Sequence, residues 1–375
     1  MIMILTFVIV FFTFALLRVP VCFSISLGAI AGYIVSGINM KIIPPALLNG
    51  LDSFPLLAIP AFIFAGELMS SGGISSAIMN FVHSLTNRFR GSLGTVLVGS
   101  SMLFGSITGS SLATVTAIGG IMLPEMKKAG YNKRYSTALL AASGFLGILI
   151  PPSVPGVIYA LMSEQKVTEV WMSTLLPGVL LGIFFMVVNY FVYGRRQKKI
   201  TEPFRLRLFA SGVQKAAPKA IVAFIMPVII FGGVYSGVFT ATEAGAVSVF
   251  YGLLAGWVIY PLFFKTKADV SLSKTIRNSA VNSAAIALLI ASAALVGRMV
   301  ALGGVTKQLI DFLMAITTSK YVFILVINVI FFIIGMLLET CTSIVLFTPI
   351  LVPIATAYGI DPVHFGAIML LNLEI

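Results

Sequence analysis

Oxygen atoms gather at three places in otherwise apolar stretches of this chain. The first is Phe104-Gly-Ser-Ile-Thr-Gly-Ser-Ser-Leu-Ala-Thr114, with two glycines and five hydroxyl residues in eleven positions. Ser110, Ser111 and Thr114 supply its central hydroxyls. The second is Gly144-Phe-Leu-Gly-Ile-Leu-Ile-Pro-Pro-Ser-Val-Pro-Gly156, with three prolines and three glycines in thirteen positions. Pro151, Pro152 and Pro155 each remove a backbone donor, so carbonyls near Gly147 lose partners and Ser153 stands beside them. The third is Gly335-Met-Leu-Leu-Glu-Thr-Cys-Thr-Ser343, where Glu339, Thr340, Thr342 and Ser343 concentrate oxygen. Unwound carbonyls and hydroxyls of this kind bind a hard cation such as sodium, and exposed half-helix N-termini favour an anionic group. The ion candidates are Ser110, Ser111, Ser153, Thr340 and Ser343 with their neighbouring carbonyls. Each place has a plainer alternative: small-residue helix packing for the first, a proline kink for the second, and an interfacial helix end for Glu339.

Other polar residues carry less. Arg298 can pair bidentately with a substrate carboxylate, or can contact Glu67, its counterpart in an internal repeat. Glu243 follows Thr240 at the spacing of a capping box, which is preferred over an ion role. Two prolines in Asp52-Ser-Phe-Pro-Leu-Leu-Ala-Ile-Pro60 mark a hairpin tip or a helix entry. His83 and His364 read as interfacial, Trp171 and Trp257 as interface anchors, and Cys22 and Cys341 as small buried hydrophobes.

The elements that position these residues must lie in a membrane. The 375 residues are 59% hydrophobic and 10% charged, far from the roughly 25% charge of a soluble domain. Mean hydropathy is +1.07. Apolar runs long enough for a bilayer imply about ten to twelve membrane-depth helices. The run 91–124 is 34 residues, about 50 Å as one straight helix, which exceeds a core of about 30 Å. It must tilt strongly, turn back or break. Residues 1–40 read as two linked helices rather than a cleaved leader, because no basic start or small-residue cleavage site is present.

A repeat organises the rest. The segment 65–81 reappears at 296–312, an offset of 231 residues, with Gly72-Gly73 matched by Gly303-Gly304 as helix ends. Leu123-Pro124 with Gly130 is echoed by Val352-Pro353 with Gly359, at an offset of 229. Arg195, Arg196, Lys198, Lys199, Arg205, Arg207, Lys215 and Lys219 oppose only Glu202 in one connection, which predicts a cytoplasmic linker. Arg88 and Arg90, then Lys127, Lys128, Lys133 and Arg134, mark further cytoplasmic turns whose repeat partners carry few cations. Opposite charge bias of equivalent loops predicts inverted topology. The expected layout is a first membrane half at 1–194, a basic linker at 195–219 and a second membrane half at 220–375. The expected fold is all-α and polytopic, with two inverted repeats, discontinuous helices and re-entrant hairpins.

No Walker-type phosphate loop, HExxH or nucleophile elbow occurs, and the acids are dispersed, which counts against nucleotide hydrolysis and intramembrane enzymology. The net charge of +12 reads as topological bias, not as a nucleic-acid surface. Paired interruptions favour a secondary transporter over a channel or scaffold subunit.

Four ordered blocks carry a resemblance. They are Gly109 to Thr114 with Leu123-Pro124 and Gly130-Tyr131; Ile150-Pro-Pro-Ser-Val-Pro155; Gly233-Val-Tyr-Ser-Gly-Val-Phe-Thr-Ala-Thr-Glu-Ala-Gly245; and Glu339-Thr340 through Thr348-Pro-Ile-Leu-Val-Pro353 to Gly359-Ile-Asp-Pro-Val-His-Phe365. Taken together, the chain resembles the large membrane subunit of tripartite ATP-independent periplasmic (TRAP) transporters, the DctM-like family. The resemblance implies an elevator-type, sodium-coupled importer in the bacterial inner membrane. It implies a smaller membrane subunit and a periplasmic binding protein as partners. Its usual substrates are small organic anions such as C4-dicarboxylates, sialic acid and other sugar acids. A stand-alone sodium-dicarboxylate carrier is the alternative. The resemblance implies sodium as the coupling ion, with no other cofactor. By matching motif positions, the resemblance implies that the breaks at 109–114 and 150–155 contribute to one sodium site and the break at 339–343 to its partner. The sequence departs from the family at Glu339, where Asp is frequent, and at Ala241, where proline is usual. It also stops at Asn372-Leu-Glu-Ile375, before the expected Thr-Pro-Pro break, as a C-terminally truncated member would.

Overall fold

The computed structural model describes residues 2–86, 91–196, 206–266 and 268–374. Arg88, Arg90, Lys198, Lys199 and Arg205, on which part of the charge argument rests, lie outside the described residues. Among the described residues there is no strand. The helices follow as α1 (Ile2–Leu16), α2 (Val21–Val35), α3 (Ile43–Leu51), α4 (Ala58–Ser71) and α5 (Ile74–Thr86). Then come α6 (Ser92–Thr108), α7 (Ser111–Lys128), α8 (Lys133–Gly144), α9 (Leu146–Leu149), α10 (Val154–Met162) and α11 (Val167–Val192). The remainder comprises α12 (Leu206–Tyr235), α13 (Ala241–Leu254), α14 (Tyr260–Phe264), α15 (Leu272–Leu302), α16 (Val305–Ile316), α17 (Lys320–Leu337), α18 (Thr340–Ala357) and α19 (Pro362–Glu374).

Seven helical stretches among the described residues are long and apolar enough to cross a bilayer. The pair Lys133–Leu149 and Val154–Met162, bent at its break, makes an eighth. The larger expectation of about ten to twelve included helices that fall short. Ile2–Leu16, Val21–Val35 and Ser92–Thr108 are apolar but have fewer than 18 residues. The basic stretch 195–219 is not all loop, because α12 begins at Leu206.

The repeat is visible in element order. In each copy a helix ends at a paired glycine, with Gly73 at φ +78° and Gly304 at φ +59°. A short helix follows (α5 or α16), then a helix–break–helix (α6–α7 or α17–α18). The left-handed φ is open to glycine without steric penalty, which stops the helix there. The capping box at Thr240 is present: the Glu243 amide donates to Thr240 Oγ1 at 3.2 Å and the Thr240 amide to Glu243 Oε2 at 2.8 Å. Of the prolines after Asp52, Pro55 lies in a 3₁₀ turn, Phe54–Leu57, that enters α4, and Pro60 lies in the first turn of α4.

Compactness divides the chain differently from the repeat. Unit 1 comprises Met1–Leu57, Val157–Val170 and Val281–Ile375, and unit 2 comprises Ala58–Gly156 and Trp171–Ala280. Unit 2 is bound by small-residue contacts. Gly245 sits against the Ala61 side chain and Gly252 against Leu68, so α4 and α13 approach closely, and Gly256 just past α13 meets the Gly72 backbone just past α4. Phe81 meets Phe224 edge-on between α5 and α12. Trp171 is fully buried, packs edge-on against Phe62 and donates Nε1–H to the Ser153 carbonyl at 3.3 Å. It is a core residue and not the expected interface anchor, because the carbonyl freed at the proline break gives its N–H an internal acceptor.

Unit 1 joins α1 to α2 with Gly28 on Phe7 and Gly32 on Met3. Buried Tyr33 donates to the Leu295 carbonyl at 2.7 Å, and Ser26 to Ser292 at 2.8 Å. Asn372 donates to Asn328 at 2.5 Å, linking α19 to α17. In lipid such a bond contributes about 0.6 kcal/mol. Tyr159 donates to the Pro362 carbonyl at 2.5 Å, and Gly366 lies under its ring.

Candidate functional site

Both sequence-predicted breaks of the first repeat fall in unit 2, and they touch. The backbone after Thr108 cannot continue α6 because Gly109 takes φ +61°. Its amide closes the helix on the Gly105 carbonyl at 2.7 Å. Ser110 is extended and restarts the chain as α7, its hydroxyl accepting from the Ala113 amide at 3.3 Å. Thr114, buried in the first turn of α7, returns its hydroxyl to the Ser110 carbonyl at 2.8 Å. The Ser111 hydroxyl is half-exposed and has no hydrogen-bond partner among the described residues.

On the other side, α9 ends at Leu149, Ile150 is extended, and Pro151-Pro152 is joined by a cis peptide. Neither proline has an N–H, so the carbonyls of Gly147 and Ile148 lack the amides that a continuing helix would offer. Ser153 caps the next turn, accepting from the Gly156 amide at 3.3 Å.

Glycine permits the contact between the two breaks. A Cβ on Gly105 would lie 1.9 Å from Gly147 Cα, and one on Gly109 would lie 2.9 Å from the Pro152 carbonyl oxygen. A Cβ on Gly147 would lie 2.8 Å from Thr114 Oγ1 and 3.5 Å from the Ser110 carbonyl oxygen. Ser110, Thr114, Gly147, Pro152 and Ser153 therefore sit around one point. Helix ends of both signs meet there. The C-terminus of α6 brings carbonyls carrying about half a negative charge, the single turn α9 adds donor-less carbonyls, and the N-terminus of α7 brings the opposite sign. Such a point can hold a small cation on neutral oxygens and present amide donors to an anion beside it.

The remaining predicted residues fall in unit 1. α17 ends at Leu337, Leu338 is extended, and Glu339 caps α18. The Thr342 amide donates to Glu339 Oε2 at 3.1 Å, and the Ser343 hydroxyl to the Glu339 carbonyl at 3.2 Å. Thr342 and Ser343 are buried, Thr340 is half-buried, and the Glu339 side chain is exposed. One Glu339 oxygen is thus committed to holding the helix end. Arg298 is exposed on α15 and forms no ion pair among the described residues. Two polar residues escaped the sequence reading. Glu374 closes α19 with its Oε1 buried and unpartnered, and the Thr340 hydroxyl and Glu339 carboxylate lie near it. Its signal was an acid at the end of an apolar run. Asn189, within apolar α11, is the other. Among the described residues no three His, Cys, Asp or Glu side chains cluster as metal ligands.

Comparison with known proteins gives the fold and the family. The YdaH transporter of Alcanivorax borkumensis shares the fold, with a TM-score of 0.56 at 13% identity, over 89% of this chain and 77% of that one. The sialic acid TRAP transporter large permease protein SiaM of Vibrio cholerae is 37% identical over 360 residues, 95% of this chain and 82% of SiaM. The isethionate TRAP transporter permease protein DctMQ of Oleidesulfovibrio alaskensis is 34% identical over 97% of this chain, which spans 56% of that longer protein. Residues 8–375 match the family described as tripartite ATP-independent periplasmic transporter, DctM component. The chain is a polytopic, helical membrane protein and belongs to the DctM family of TRAP transporter large permeases.

Proposed function

We propose that this chain is the large membrane subunit of a sodium-coupled importer of small organic anions, set in the bacterial inner membrane. It receives its substrate from a periplasmic binding protein and works beside a small membrane subunit. The two relatives described above are named for sialic acid and isethionate, both small organic anions, which supports that substrate class. The observation that carries the sodium reading is the contact of two helix breaks at Gly105 and Gly147, where hydroxyls and donor-less carbonyls meet without an ionisable side chain. Sodium is a co-substrate in this reading: Ser110, Ser111, Ser153 and the carbonyls near Gly147 are its ligands in unit 2. Thr340 and Ser343 supply the ligands of the second break, and Arg298 pairs with the anion's acid group.

The test is uptake of labelled sialic acid and C4-dicarboxylates into proteoliposomes that contain the complete permease and its two partners. Uptake requires an inward sodium gradient and the binding protein. Equal uptake with potassium in place of sodium overturns the coupling. Uptake without the binding protein favours a stand-alone carrier.

A further inference from the structure

The breaks at Gly109 and Pro151 sit at the inner ends of α6 and α8–α9, and their spacing depends on how these helices are held elsewhere. Their outer ends meet one buried amide. Asn189, on α11, is fully buried. Its Nδ2 donates to the Gly91 carbonyl at 2.8 Å and to Thr95 Oγ1 at 3.4 Å, and both acceptors lie at the start of α6. Its Oδ1 accepts from the Tyr135 hydroxyl on α8 at 3.2 Å. All of these residues lie in unit 2.

The fit around this amide is tight. A Cβ on Gly94 would lie 2.0 Å from Asn189 Oδ1, and Gly91, at φ +77°, would place one 3.0 Å from Nδ2. Tyr193, four residues further on and just past the end of α11, stacks on Tyr131 and lies tilted against Tyr135, at ring-centroid distances of 4.4 and 4.6 Å. Its hydroxyl accepts from the Asn132 amide at 2.6 Å. The start of α8 is therefore fixed to Asn189 on α11 and to Tyr193 just past it, and the start of α6 is fixed to Asn189 as well.

The geometry points to Asn189 and Tyr135 as positioning residues for the cation site at the Gly109 and Pro151 breaks. This rests on the sodium reading above. α6 has 17 residues and spans about 25 Å. Two rods of that length, in contact at Gly105–Gly147 and pinned together at their far ends, cannot slide or splay. Removing the far pin lets α6 shift against α9, and the oxygens of the two breaks move apart. Neither residue touches the ion. Both set its affinity.

The test compares Tyr135→Phe and Asn189→Asp with Tyr251→Phe in reconstituted permease with both partners. Tyr135→Phe removes one hydroxyl. Asn189→Asp keeps the acceptor for Tyr135 and loses the donor to Gly91. Tyr251 donates to the Val222 carbonyl at 2.5 Å between α12 and α13, so its loss costs the same unit a hydrogen bond without freeing α6 or α8. The readouts are the half-saturating sodium concentration, maximal uptake and thermal unfolding. Tyr135→Phe and Asn189→Asp raise half-saturating sodium about three- to tenfold, the range of one interhelical hydrogen bond in lipid. Tyr251→Phe changes thermal unfolding alone. Sodium-dependent wild-type uptake with an unshifted Tyr135→Phe overturns the positioning role and leaves the sodium site standing. The same holds if Tyr251→Phe shifts as far. Wild-type uptake that ignores sodium removes the sodium reading and this inference together.

Discussion

Gly105→Ala is the sharpest perturbation of the paired breaks. The added Cβ would lie 1.9 Å from Gly147 Cα, 2.9 Å from its amide nitrogen and 3.1 Å from its carbonyl carbon. All three atoms are backbone, so no side chain can rotate away. Carbon atoms rest at about 3.5–4.0 Å, and α6 must therefore leave α9 by about 1.5–2 Å. Overpacking of this kind costs about 1–3 kcal/mol. The same displacement carries Gly109 away from the Pro152 carbonyl, and a shift of about 1 Å at a binding site costs up to two orders of magnitude. The matched control is Gly120→Ala on α7, whose Cβ meets nothing within 4 Å. As a helix-interior glycine it gains about 0.5–1 kcal/mol on becoming alanine. Thermal unfolding of the purified permease and sodium titration of uptake separate the two. Gly105→Ala unfolds at lower temperature and needs about tenfold more sodium or higher, while Gly120→Ala unfolds later and is unchanged in its sodium requirement. A Gly105→Ala protein as stable and as sodium-sensitive as Gly120→Ala would refute the contact.

Two further substitutions probe the caps. Glu339→Ala, which leaves the Thr342 amide without its acceptor, lowers stability by about 1 kcal/mol, whereas Glu339→Gln keeps an oxygen there and lowers it less; equal losses in thermal unfolding count against capping. Thr240→Ala removes the box at the start of α13 and costs about 1 kcal/mol, while Thr240→Ser keeps it. An alanine variant that unfolds with the wild type shows that this helix end is held by something else.

Much of this was legible because membrane helices have few ways to stop. Gly109, the prolines at 151 and 152, and the polar run at Glu339 each interrupt an apolar stretch that is otherwise unbroken, and the chain breaks at all three. Thr240 and Glu243 stand three apart before an apolar run, which is enough to specify a capping box. What the sequence hid were contacts made by single residues across long separations. Asn189 is one polar residue in a 26-residue apolar helix, and nothing local says that its partners are 94 and 98 positions earlier. Trp171 reads as an anchor because tryptophan favours interfaces, yet the proline break supplies an internal acceptor. The compact units were equally hidden. Each takes segments from both sides of the basic linker, because helices choose neighbours by the fit of small residues and not by order along the chain.

The two kinds of break differ in how they can hold charge. The second offers carboxylates, Glu339 spending one oxygen on the Thr342 amide of α18 and Glu374 keeping a buried, unpartnered one. The first has none: Ser110, Thr114, Ser153 and the carbonyls around Gly147 are neutral dipoles. The attraction of a dipole for an ion falls faster with distance than that of a full charge, so a site made of dipoles loses more when its walls part. On the proposed sodium reading, the first break is the one whose spacing must be kept. Its paired helices are held at the tip by Gly109 on Pro152, one turn back by Gly105 on Gly147, and at the far end by the Asn189 amide. A carboxylate placed at the first break would relax the demand for that spacing. Gly147→Asp should therefore fail by steric contact with Thr114, 2.8 Å from the new Cβ, while Ser111→Asp, at a half-exposed position, should retain cation binding with reduced discrimination between sodium and potassium. Unchanged discrimination in Ser111→Asp would show that spacing is not what selects the ion.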